Sequence, residues 1–237
     1  SYQYDHQFMD YANRSSEYSA HQIAKTIQST LRLKSALDVG CATGTWLHAW
    51  SALGVQHCHG VDGSYVKPDT LRVPQEWFTP VDLSRPLDLG RTFELVQSLE
   101  VGEHIPAEAT DVFIDNIVKH SNRLVLFSAA PPGQGGEFHI NEQPFDFWRT
   151  HFARRGFVPF DWIRPMIAND TRISFWYRYN LFLYVRRDAV ATLPPEVRAT
   201  EIPDGHPMTD VSPRSFKIRK AILRQLPRPM QDRLADL

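Results

Sequence analysis

The chain has 237 residues with 26 basic and 27 acidic side chains, so it lacks the charge excess typical of a dedicated nucleic-acid-binding protein. Hydrophobic residues make up 42% of the chain, which with the glycines is typical of a folded globular domain and excludes disorder throughout. No segment has the roughly 18 apolar residues of a membrane span, and the N-terminal residues lack the apolar stretch of a signal peptide. We therefore expect a cytoplasmic protein.

Apolar strand patterns alternate with helical patterns along the first 130 residues. A helix with one buried stripe is predicted from about Tyr18 to Leu31, with Ser15 or Ser16 as its N-cap. Further helices are predicted at 44–53 and 109–120, and the strand patterns are SALDVG, HCHGVD, WFTPVDL, FELVQSLEV and RLVLFSAA. This alternation predicts an α/β fold, a doubly wound and mostly parallel sheet with helices on both faces.

The sequence changes character after residue 130. Residues 131–143, PPGQGGEFHINEQ, are too polar for a strand and too long for a tight turn, so they predict a functional loop. A helix ending near Gly156 and two more strands, at 158–163 and 181–185, follow, which makes seven strands in all. Five prolines in 189–213 indicate a linker, and residues 215–226 have the pattern of a basic amphipathic helix. The predicted domains are 1–33, 34–188 and 189–237.

The first strand runs into a turn with the sequence Asp-Val-Gly-Cys-Ala-Thr-Gly, residues 38–44. Glycine allows backbone to approach a ligand closely, but Ala42 and the glycine spacing differ from the dinucleotide fingerprint. An acidic residue before the turn suits a cofactor that carries positive charge there. Asp62 lies 22 positions after Gly40, near the offset at which a carboxylate accepts from ribose hydroxyls, and Asp82 follows the third strand, within reach of an adenine amino group.

These residues resemble the class I S-adenosylmethionine-dependent methyltransferases, over roughly residues 18–187. The resemblance implies S-adenosylmethionine as cofactor, a Rossmann-like methyltransferase fold with an antiparallel last strand, and 34–188 as the cofactor-binding domain. It also implies the cofactor contacts: Asp38, Gly40, Ala42 and Gly44 around the methionine part, Asp62 on the ribose hydroxyls, Asp82 and Leu83 on adenine, and Ser98 and Leu99 bordering the cofactor.

Two carboxylates and an imidazole follow the fourth strand in Glu100-Val101-Gly102-Glu103-His104. Such a group can act as a general base, bind a hydroxyl or hold a hard cation. The turn resembles those of ubiquinone-pathway O-methyltransferases and small-RNA 2′-O-methyltransferases, where these residues can hold a divalent metal. In the RNA enzymes a further histidine follows the next strand, and His139 fits that place.

The resemblance leaves the chemistry of this turn open. In one alternative Glu100, Glu103, His104 and His139 bind Mg²⁺ or Mn²⁺. In the other the site holds no metal and His104, His139 and Glu103 are catalytic. In a third, the histidine of the turn only lines the acceptor pocket.

The favoured function is transfer of a methyl group to a hydroxyl of a small-molecule acceptor, such as a natural product, glycoside or saccharide. A base or a cation would help a neutral hydroxyl to lose its proton, so the turn favours oxygen over nitrogen. The alternative is a non-catalytic scaffold protein that docks through the C-terminal helix, where residues 214–233 contain seven basic side chains and one acidic. In this alternative the helix contacts a membrane surface or a partner protein. Otherwise it packs on its own domain or on the second copy of a homodimer. The aromatic run 175–180 either stacks on a ring of the acceptor or packs beside the sheet.

Overall fold

The computed structural model describes residues 6–225, with side chains from residue 16 onward. Its strands are β1 Ser35–Val39, β2 His57–Asp62, β3 Phe78–Pro80, β4 Phe93–Leu99, β5 Ser121–Ser128, β6 Phe157–Phe160 and β7 Phe182–Arg186. They form one seven-stranded sheet in the order β3-β2-β1-β4-β5-β7-β6. The first five strands pair in parallel, and β7 is antiparallel to both β5 and β6. The predicted fold, including the antiparallel last strand, is confirmed.

The order in which strands are added to the sheet reverses between β1 and β4. From β1 the chain proceeds outward through β2 and β3, and then returns to place β4 on the other side of β1. In doubly wound sheets, ligands bind outside the carboxyl ends of the strands at this switch point. The segments that follow β1, β2 and β4 therefore form the expected binding edge.

The helices are α1 His6–Leu31, α2 Thr45–Ala52, α3 Thr110–Lys119, α4 Phe145–Ala153, α5 Ile163–Ile167, α6 Phe175–Asn180, α7 Pro195–Arg198 and α8 Arg214–Leu223. Because α1 already begins at His6, Ser15 and Ser16 lie inside it, and the predicted N-cap is wrong. The physical reason is that no glycine or proline interrupts residues 6–16, so the helix continues toward the N-terminus.

The core lies in two layers, one on each face of the sheet. Along β5, Leu124 and Leu126 pack in the layer that contains α1 and α2, whereas Val125 and Phe127 pack in the layer that contains α3 and α4. This alternation follows from the two-residue period of a strand, and it explains why the central strands are apolar on both faces.

The segment 187–213 packs on the domain, although its prolines suggest a linker. Val197 is fully buried, and Met208 is 5% exposed. The Arg149 guanidinium donates to backbone carbonyls at 202, 203 and 206, and Arg164 donates to the carbonyl of Thr209. These bonds hold the segment against α4 and α5, so it is not an extended connection. The domain boundaries stay a prediction.

Candidate active site

The turn between β1 and α2 lies at the binding edge and contains three residues with a positive φ angle. Gly40 and Gly44 have φ angles of +87° and +85°, and Ala42 has a φ of +46°. A Cβ on Gly40 would lie 2.9 Å from Cγ1 of Val101 and closer still to Cγ2. Glycine is therefore required at position 40, both by the backbone conformation and by the contact with the segment after β4.

Asp62, at the end of β2, is bound to this turn. Its carboxylate accepts hydrogen bonds of 2.7 Å from the backbone N–H groups of Ala42 and Gly63, and a third from the Tyr65 hydroxyl. Burial raises the pKa of Asp62, against the effect of these three donors. The structure thus brings together the turn and the acidic residue that the sequence analysis assigned to one cofactor.

Two buried polar residues lie beneath the turn. Asp38 is 3% exposed, and burial raises the pKa of its carboxyl to about 7. Ser98 is fully buried, and its hydroxyl donates a 2.7 Å hydrogen bond to the carbonyl of Val39, which ties β4 to β1. The neighbouring Leu99 is 9% exposed at the end of β4. Ser98 and Leu99 therefore border the turn, and the Ser98 hydroxyl stabilises the sheet.

Asp82 lies in an exposed turn after β3. Its carboxylate accepts hydrogen bonds from the hydroxyl and the backbone N–H of Ser84, at 2.6 and 3.0 Å, and is 3.3 Å from Arg85. These bonds, led by the Ser84 hydroxyl, lower the pKa of Asp82. Leu83 is buried in the core layer of α3 and α4. The contact of Asp82 and Leu83 with adenine stays a prediction.

A second polar group forms where β4 and β5 end. Gly102–His104 is a short 3₁₀ turn after β4, and the loop between β5 and α4 brings His139 beside it. Glu103, His104 and His139 each offer a ligand atom, and these atoms lie within 4.8 Å of one another. The rings of His104 and His139 meet edge to face with centroids 4.9 Å apart. The predicted convergence of these three side chains is present.

Glu100 does not join this group, contrary to the four-ligand prediction. Its carboxylate accepts hydrogen bonds from the side-chain amides of Gln134, at 3.0 Å, and Asn180, at 3.3 Å. The Asn180 amide also donates to Oε1 of Gln134 at 2.9 Å. Glu100 is therefore part of a separate polar network, because the loop after β5 and helix α6 supply its partners.

Glu103 is fully buried, and neither of its carboxyl oxygens has a hydrogen bond of good geometry among the residues that the structure describes, although the backbone N–H groups of Glu103 and Ala130 lie near enough to favour its ionised form. Burial, together with the charge of Glu100, raises the pKa of Glu103 well above its usual range. A buried carboxyl without well-formed hydrogen bonds is costly, so it indicates a proton, a ligand or a cation that the side chains do not supply.

Both histidines donate a hydrogen bond from Nδ1. Nδ1 of His104 donates to the carbonyl of Phe138 at 3.2 Å, and Nδ1 of His139 donates to Oε1 of Glu142 at 2.9 Å. In the neutral imidazole these bonds leave the lone pair on Nε2, and Nε2 of His139 lies 4.0 Å from Oε1 of Glu103. Burial lowers the pKa of His104 to about 3, so His104 stays neutral.

Comparison with known proteins decides the family. Residues 11–161 match the family model described as a methyltransferase domain. The chain belongs to the class I S-adenosylmethionine-dependent methyltransferases. A comparison with curated proteins gave no significant match.

Solved structures share the fold of this methyltransferase. The sugar N-methyltransferase KedS8 from Streptoalloteichus is 14% identical with a TM-score of 0.60, over 79% of this chain and 94% of that one. Magnesium protoporphyrin IX methyltransferase from Synechocystis, with bound S-adenosylmethionine, is 18% identical with a TM-score of 0.52. The match covers 73% of this chain and 80% of that one.

The aromatic run of the methyltransferase forms helix α6, which the sequence analysis did not predict. Tyr177 is buried, and its ring meets Trp46 of α2 edge to face at 5.3 Å. Phe175 and Tyr179 pack on Phe216 of α8, with ring centroids 4.8 and 5.7 Å apart. The run therefore packs against helices α2 and α8, and its stacking on a ring of the acceptor stays a prediction.

Helix α8 packs on the loop that carries His139. Arg219 donates to the carbonyl of Gln134 at 3.0 Å, and Arg224 donates to the carbonyl of Pro132 at 2.7 Å. Gly133 lies against the backbone of Lys220, which is 5% exposed. This face of the basic helix therefore contacts its own domain. The predicted end of that helix, at Leu226, lies outside the described residues.

Three residues of the site were missed by sequence analysis: Gln134, Glu142 and Asn180. In the sequence, Gln134 and Glu142 are polar members of a loop, and Asn180 ends an aromatic run. The one local signal was the spacing of Glu142, three residues after His139, which suits a hydrogen bond within a turn.

No helix among the described residues is both long enough and apolar enough to cross a membrane.

Proposed function

We propose that this methyltransferase moves the methyl group of S-adenosylmethionine to a hydroxyl of a small-molecule acceptor. The observation that carries the proposal is the convergence of Glu103, His104 and His139 within 4.8 Å at the edge where the cofactor turn also lies. A neutral hydroxyl loses a proton as it attacks the methyl carbon, whereas a neutral amine can attack through its lone pair without a base. A site with two imidazoles and a carboxyl therefore favours an oxygen acceptor.

The chain's own residues would hold and orient the cofactor. Asp62 is fixed by two backbone N–H groups, and the ribose hydroxyls would take its remaining acceptor sites, one of which the Tyr65 hydroxyl occupies and would have to leave. Asp38 and the turn 40–44 would surround the methionine part. Binding both reactants at one edge supplies the alignment that displacement at a methyl carbon requires. S-adenosylmethionine supplies the methyl group on its sulfonium, and S-adenosylhomocysteine leaves with the electron pair of the broken C–S bond.

His139 is the proposed general base. Its Nε2 lone pair would take the hydroxyl proton while the acceptor oxygen bonds to the methyl carbon. The imidazolium that forms is stabilised by the Glu142 carboxylate, 2.9 Å from Nδ1, and then returns its proton to water. His104 has a pKa of about 3 because it is buried, so it is a weak base and instead packs against the ring of His139.

Metal-assisted transfer is a second candidate, supported by Glu103. Both of its oxygens are buried and have no hydrogen bond of good geometry within the described part of the chain, and two imidazoles offer nitrogens beside it. Two imidazoles and one carboxylate fit a divalent transition metal such as Mn²⁺ better than Mg²⁺, which prefers oxygen ligands, and such a cation would lower the pKa of the acceptor hydroxyl. Glu103, His104 and His139 would be its ligands, without Glu100. We favour the metal-free reaction because Glu142 already orients His139 as a base.

The proposal is tested with labelled methyl donor and matched acceptors. Each scaffold of a panel of natural products, glycosides and saccharides is offered as the alcohol, its methyl ether and the corresponding amine. We expect label in the alcohols and none in the methyl ethers. Label only in the amines would refute an oxygen acceptor. Binding of S-adenosylmethionine with no transfer to any class would favour the non-catalytic alternative.

A cytoplasmic location and a homodimer stay predictions from the sequence.

A further inference from the structure

Glu142 makes three hydrogen bonds within the loop that carries His139. Oε2 accepts from the backbone N–H of Gly133 at 2.6 Å, and Oε1 accepts from that of Gly135 at 2.8 Å. Oε1 also accepts from Nδ1 of His139 at 2.9 Å. The side chain is only 13% exposed, so these bonds are shielded from water. The same carboxylate therefore stabilises the loop and orients the imidazole of His139.

The imidazole has little freedom in this loop. A Cβ on Gly136 would collide with the ring of His139, so the absence of a side chain at Gly136 gives the ring its place. A carboxylate can only accept, so its bond fixes the proton of the neutral ring on Nδ1 and the lone pair on Nε2. The Nε2 atom is the one that lies toward Glu103 and His104.

We infer that Glu142 is a positioning residue, which holds His139 in the tautomer and orientation that its proposed role as general base requires. The inference rests on the proposed function. Glu142 acts through His139, as the third member of a hydrogen-bonded set orients the base in many enzymes with an activated nucleophile. A carboxylate that only shapes the loop would keep the Gly133 and Gly135 bonds but have no effect through the imidazole.

A double-mutant cycle separates these roles. We expect Glu142→Ala to lower kcat by about 10–100-fold, with little change in KM and in the Kd of S-adenosylmethionine. In the His139→Ala background the same substitution should lower kcat much less, because the part of its effect that passes through the imidazole is already lost. An equal fall in kcat in both backgrounds would overturn the inference.

The variant Arg224→Ala is the control for a general loss of order in the loop. It removes the hydrogen bond from α8 to the carbonyl of Pro132 and leaves Glu142 in place. Nitrogen-15 NMR of the imidazoles gives a readout that does not depend on activity. We expect the Nδ1–H tautomer of His139 in the unsubstituted protein and in Arg224→Ala, and a gain of the Nε2–H tautomer in Glu142→Ala. An unchanged tautomer in Glu142→Ala, or an Arg224→Ala variant as slow as Glu142→Ala, would overturn the inference. Full activity of His139→Ala would instead refute the proposed base, and the tautomer would still test the Glu142 bond.

Discussion

The backbone N–H of Ala42 donates a 2.7 Å hydrogen bond to Oδ2 of Asp62, which links the turn after β1 to the end of β2. A second backbone donor, the N–H of Gly63, lies 2.7 Å from Oδ1. The two bonds fix the plane of the carboxylate before any ribose arrives. Cofactor binding therefore need not order this side chain, which reduces the entropic cost of association.

Substitution of Asp62 by alanine should weaken S-adenosylmethionine binding by about 2–4 kcal/mol. Two ribose hydroxyls would lose a charged acceptor, and such bonds contribute about 1.5–3 kcal/mol each without being fully additive. Titration calorimetry measures the change, with Asp69→Ala, in an exposed turn, as the matched control. Equal affinities of a folded Asp62→Ala and the control would remove Asp62 from the cofactor site.

Gly40→Val should abolish cofactor binding while most secondary structure remains. The new side chain would collide with Val101 and with bound S-adenosylmethionine. Gly54→Val is a close control. Gly54 has the same φ of +87°, and nothing lies within 4 Å of an added Cβ. Both variants carry the backbone strain, but only one has the collision. Circular dichroism and a binding titration compare them, and retained affinity in Gly40→Val would refute the assignment of this turn.

The affinity for S-adenosylmethionine should depend on pH through Asp38. Burial raises the pKa of this carboxyl to about 7, so below pH 7 it is mostly protonated. A positively charged methionine part prefers the ionised form, and binding must first release the proton. We expect affinity to fall by about tenfold per pH unit below pH 7. Calorimetry at pH 5.5, 6.5 and 7.5 checks this, with Asp38→Asn expected to lose the slope. A flat profile in the unsubstituted protein would contradict the role of Asp38.

The meeting of the β1 turn with Asp62 was predictable because local patterns determine it. Parallel strands end at a common edge, so the acids at the ends of β1 and β2 are expected near each other whatever the rest of the chain does. The position of Glu100 depends instead on partners elsewhere in the chain. Glu100 turns toward Gln134 and Asn180, which are 34 and 80 positions away, and no local pattern predicts such bonds. The packing of 187–213 likewise depends on distant guanidinium groups.

The most direct test of the account measures kcat for His139→Ala and His104→Ala with and without a chelator, using an acceptor found in the panel. For a metal-free base, chelator should leave the unsubstituted enzyme unchanged, and His139→Ala should be slower by about 10²–10⁴-fold. His104→Ala should be less affected, because the low pKa of His104 makes it the weaker base. Loss of activity with chelator, restored by Mn²⁺ or Mg²⁺, would contradict the metal-free base and favour the metal. Full activity of both variants in chelator would contradict both mechanisms and leave alignment of the reactants as the source of catalysis.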